Sequence, residues 1–147
     1  MSNAAVVEAL SRLERLHRRL GEYTCGLPAR YHLGDDVVCL PQIRLEPAEG
    51  AVRVVMSHLL PFGGAGAFHE IEIGVRLTVT PAGHEGVLFA GIALDPPDDA
   101  LAGGGTVSHE WAAAGADVLD TLETAAVELC ARADPFGFLA GREWSGA

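Results

Sequence analysis

Cys39, His58 and His69 are the residues of this 147-residue chain whose types could share chemistry. A thiolate with two imidazoles is a zinc ligand set, with water or a fourth side chain completing the tetrahedron. A cysteine beside a histidine is also the start of a nucleophile–base pair. What would bring the three together is strand pairing. A symmetric hairpin about Pro61–Gly66 sets Met56 opposite Ile71 and His58 opposite His69. A turn over residues 46–51 sets Leu45 opposite Val52 and Cys39 opposite His58. Both registers gather the apolar residues on one face, the condition that selects a register. Cys39, His58 and His69 then form a row across three strands, with neighbouring Cβ atoms about 4.5–5.5 Å apart. Against this, Pro41 interrupts the face between Cys39 and Ile43. Buried cysteines and strand-end histidines are also commonly structural.

Other motifs fall away on spacing. His69-Glu70, His84-Glu85 and His109-Glu110 would each need a second histidine four residues on, where the chain has Ile73, Leu88 and Ala113. Gly63-Gly64-Ala65-Gly66 lies between strands, whereas a phosphate cradle leads from a strand into a helix N-terminus. Gly103-Gly104-Gly105-Thr106 does precede a helix, but Asp95, Asp98 and Asp99 nearby repel an anion. Ten arginines and no lysine exclude the P-loop lysine and Schiff-base chemistry. Ser57, Ser108 and Ser145 sit in no G-x-S-x-G elbow, and Glu70 and Glu72 share an outward strand face. No cofactor is expected; zinc at Cys39, His58 and His69 is the one candidate.

The elements that must position these residues read as one α+β domain over residues 1–147. Val6, Leu10, Leu13, His17 and Leu20 recur at helical spacing, which predicts a helix over 4–21 stopped by Gly21. Ser2-Asn3-Ala4 reads equally as a native start or a tag remnant, and 22–36 as a connection. From about 37 to 95 the period is two, with breaks at Glu46–Gly50, Pro61–Gly66 and Pro81–Gly86, hence four strands. Asp95 to Val107 is a loop, and a second helix over 109–132 starts from a Ser108 cap and ends at Asp134-Pro135. The tail over 134–147 carries Phe136, Phe138 and Trp144 and packs back on the body. The expected architecture is an N-terminal helix, a four-strand antiparallel meander sheet and a C-terminal helix, a two-layer sandwich.

Charge narrows the partners. The net charge is −10, but residues 1–30 hold five Arg against Glu8, Glu14 and Glu22, a balance of +2. The remainder holds five Arg against seventeen acids, a balance of −12. Arg12, Arg15, Arg18 and Arg19 are expected to complement the acidic second helix. Such a surface excludes nucleic acid as the main partner, and no apolar run approaches the roughly 20 residues of a membrane span. Three cysteines far apart argue for a reducing compartment, so a bacterial cytoplasm is expected. The expected function is non-enzymatic: an adaptor, chaperone or immunity-like module binding a protein with a cationic surface, and able to form a homodimer. Phe62, Phe68, Asp95, Asp98, Asp99 and Trp144 are the expected contact residues. The alternative is a ligand- or metal-binding protein, or an enzyme, with its pocket at the Cys39/His58/His69 end of the sheet.

Overall fold

Ser2 opens the first helix by accepting a hydrogen bond from the Ala5 amide at 3.2 Å. The computed structural model describes residues 2–144, the Ala102 side chain excepted; Met1 and Ser145–Ala147 lie outside it. Helix α1 runs Asn3–Tyr31, ten residues beyond the expected end. Gly21 does not stop it. A Cβ there would lie 2.5 Å from Nε2 of His58, so Gly21 lets the helix approach the sheet. The actual stop is His32, left-handed at φ 54°, whose amide donates to the Pro28 carbonyl. The inward stripe is Leu16, Leu20, Thr24, Leu27 and Tyr31.

The strands are β1 (Leu40–Ala48), β2 (Ala51–Phe62), β3 (His69–Thr80), β4 (Gly83–Ala93) and β5 (Val107–Ala114), antiparallel in the order β1-β2-β3-β4-β5. The sheet therefore has five strands rather than four. The fifth is the segment expected to begin the second helix. Its alanines favour helix in isolation, but β4 would otherwise lack half its backbone partners. Pairing Val107 with Ile92 and Trp111 with Leu88 supplies them. Gly115 at φ 87° ends β5, and helix α2 occupies only Val118–Ala131. Asp117, not Ser108, stands at its N-cap.

Helix α1 packs on β2 and β3, and α2 on β4 and β5. One core joins the layers, with Leu20, Leu60, Ile73, Leu88 and Leu122 buried between them. The tail does fold back: Phe136 and Leu139 are buried, and Trp144 Nε1 donates to the Leu139 carbonyl at 3.1 Å. Arg12 ties the helices together through Asp120 at 2.5 Å and Glu123 at 2.7 Å. Arg18 instead pairs with Glu14 of its own helix. No helix among the described residues is long and apolar enough to cross a membrane.

Candidate functional site

The expected Cys/His row does not form, because both hairpins close elsewhere. Phe62 pairs with His69, so His58 faces Ile73 and Met56 faces Val75. Phe62 is buried, and that burial carries β2 through Pro61 before the loop begins. Proline is tolerated there because β1 has already ended, with Leu40 opposite Leu59. In the other hairpin Ala48 pairs with Ala51, so Leu45 faces Val54, and Pro41 rather than Cys39 faces His58. His58 and the partner of His69 are four residues apart on β2, about 13 Å along the strand. Among the described residues, no three His, Cys, Asp or Glu side chains gather as a metal site.

Each member of the row has found a different neighbour. Cys39 lies just before β1 beside Cys25 of α1, and burial, with a hydrogen bond to Cys25, pushes its thiol up to about 12. It stays protonated at neutral pH, which is wrong for a nucleophile. His58, 7% exposed, stacks on His17 with ring centroids 4.1 Å apart. Burial, and secondarily His17, lowers His58 to about 4; burial also lowers His17. Neither Nδ1 has a hydrogen-bond partner among the described residues. His69 accepts the Asp95 amide on Nδ1 at 3.0 Å and packs between Phe62 and Trp144 at 5.2 and 5.3 Å.

The expected contact residues divide. Phe62 and Trp144 are core, joined edge-on at 5.7 Å, and cannot reach a partner. Phe68 is exposed, as are Asp95 and Asp99. Asp98 is half-buried, held by Arg142 and accepting the Ala100 amide at 2.9 Å.

The surface that sequence reasoning missed is β1. Ile43 and Leu45 lie on the helix-facing side of the sheet, yet they are 71% and 73% exposed. The helices cover β2 to β5 and stop short of this strand. Val52 and Val79 continue the bare apolar strip onto β2 and β3. The backbone is open as well. Glu49-Gly50 is a two-residue loop, Gly50 at φ 66°, which makes Ala48 and Ala51 a hydrogen-bonded pair. By alternation, residues 40, 42, 44, 46 and 48 bond to β2, while 41, 43, 45 and 47 point outward. Proline occupies 41 and 47, where a missing N–H costs β2 nothing. Between them Ile43 and Leu45 present the outward amides, with carbonyls at all four positions. On the opposite face Arg44 bonds Glu46 at 3.1 Å and Glu72 at 3.2 Å, and Arg53 approaches Glu46 at 3.8 Å.

Comparisons with protein-family models, curated proteins and solved structures found no match. The site therefore rests on its own geometry. An unpaired edge with two large apolar side chains and a free pair of amides can take an extended strand by backbone pairing. One signal was readable in advance: two prolines six residues apart in an alternating segment mark an edge strand.

Proposed function

We propose that the chain is a non-enzymatic protein-interaction module, of the adaptor, chaperone or immunity kind, acting in the cytoplasm and binding through the outer edge of β1. The observation that carries this reading is the exposure of Ile43 and Leu45 on an edge strand whose outer side is unpaired among the described residues. Single exposed apolar residues are ordinary, but a contiguous strip beside free backbone amides fits a binding surface. The partner is defined by its chemistry. It offers an extended segment, apolar on one side against Ile43 and Leu45, with a cation on the other side to meet Glu46 or Glu49. The unpaired cysteines are in keeping with a reducing compartment.

The test is site-specific photocrosslinking in the source cell. A photoreactive residue at position 43 or 45 is expected to capture a defined polypeptide, whose identity is read by mass spectrometry. The same residue at position 19, on the exposed face of α1, is expected to capture none. A Leu45→Arg change should abolish capture from position 52. Equal capture from 19 and 45, or none from 43 and 45, would sink the reading.

A further inference from the structure

We propose that the segment added to β1 is β1 of a second copy of this chain, antiparallel across a two-fold axis at Leu45. The inference rests on the edge of β1 being the docking surface and names its occupant. A two-fold contact must be self-complementary, each copy using the same patch. The outward groups of β1 meet that demand. Three antiparallel registers between two copies employ both outward amides, with the axis at Ile43, at Arg44 or at Leu45. They differ on the opposite face. An axis at Ile43 sets Arg44 opposite Gln42 of the other copy. An axis at Arg44 sets the two Arg44 side chains against each other, and like charges directly opposite are destabilising. An axis at Leu45 sets Arg44 opposite Glu46 twice over, the charge-complementary choice.

The hydrogen bonds in that register close without a wasted donor. Leu45 of each copy donates to the carbonyl of its counterpart, and Ile43 donates to the Pro47 carbonyl. Proline supplies only an acceptor there, so the residue that blunts other pairings fits this one. The two Leu45 side chains meet at the axis, flanked by Ile43 of each copy. The two bare strips then join into one apolar seam between the helix layers of a ten-stranded sheet, each Leu45 partly shielded by its counterpart. Arg44 is the cation that a partner of this acidic chain must bring.

Sedimentation velocity of the full chain over a concentration series reads the outcome. The native chain should reach twice its 15.4 kDa mass. Arg44→Glu and Glu46→Arg should each weaken self-association by about tenfold or more, since each replaces two opposite-charge contacts with like-charge ones. Mixed together, they should recover a heterodimer, because the two acids that one variant carries at positions 44 and 46 then face the two cations of the other. Cooperative melting at a concentration where the native chain is also dissociated shows that the singles remain folded; should either fail to fold, Leu45→Arg provides a second monomer at the axis. A native chain that stays monomeric overturns the proposal, and so does a dimer indifferent to both singles or not recovered by mixing. Capture of a different polypeptide at positions 43 and 45 by a monomeric chain leaves the interaction reading standing while this proposal falls. Absence of both capture and dimer removes both.

Discussion

The two edges of the sheet are built to different ends. Strand β5 is finished. Ala113 is buried under α2, Trp111 is half-buried, and Glu110 reaches across to Arg76 at 3.6 Å. Strand β1 has the same alternation of apolar and polar residues but no helix above it, so Ile43 and Leu45 face water. Two prolines restrict what can pair with it without closing it. A fold that spent its second helix on β4 and β5 has left the β1 side of the sheet without a helix above it. A period-two pattern names the apolar face of a strand, not whether that face is covered.

The largest effect should come from treating the two sides alike. Leu122 is fully buried against β4, where its Cδ1 would lie 3.0 Å from a Cβ at Gly86. Leu122→Ala should cost about 2–5 kcal/mol of folding stability, read from urea denaturation. A loss below about 1 kcal/mol would mean that α2 does not seal the β5 side. Next comes the line where coverage ends. Gly21→Ala drives a Cβ into the His58 ring and should cost about 1–3 kcal/mol. Gly26→Ala on the same helix meets nothing within 4 Å and should be neutral or stabilising by up to about 1 kcal/mol. Equal effects from the two glycines would contradict the close approach of α1 to β2.

Much of the frame was readable in the sequence, and what was not shares one cause. The first helix, the meander and the final helix follow from hydrophobic period. The fifth strand does not, because Trp111-Ala112-Ala113-Ala114 prefers helix until β4 needs a partner. Gly21 reads as a stop when its reason is a ring on another element. The hairpin about residue 64 reads as starting at Pro61, because only the burial of Phe62 shows that β2 continues. Those shifts scattered Cys39, His58 and His69 while leaving both histidines on the expected face, since each shift was by an even number. The meetings of Cys39 with Cys25 and of His58 with His17 are contacts between α1 and the residues beneath it, which no spacing within one element encodes.

The histidine stack makes the covered side sensitive to acid in a way that β1 is not. His58 is held at about 4 in the fold, below its ordinary 6.5, and His17 is lowered too, although Glu14 favours its charged form. The unfolded chain therefore takes up protons first as pH falls. Stability is complete above about pH 6.5 and is lost progressively toward pH 4, on the order of 2 kcal/mol. Urea midpoints between pH 7 and 5, above the range where most carboxylates titrate, should fall in the native protein. In His58→Asn the baseline should be lower but the slope over that window clearly flatter. An unchanged slope would show that the stack is not what titrates.

The smallest effect is expected at Leu45. Leu45→Ser removes as much hydrocarbon as many core substitutions, but from a side chain already in water in the single chain. At low protein concentration its folding stability should match the native one to within about 0.5 kcal/mol. The native chain should melt higher as concentration rises, because association favours the folded state by mass action. Leu45→Ser should lose that dependence, since the residue at the two-fold axis no longer gains from being covered. A variant destabilised at every concentration would mean that Leu45 is packed within its own chain, and the contrast between the two edges would disappear.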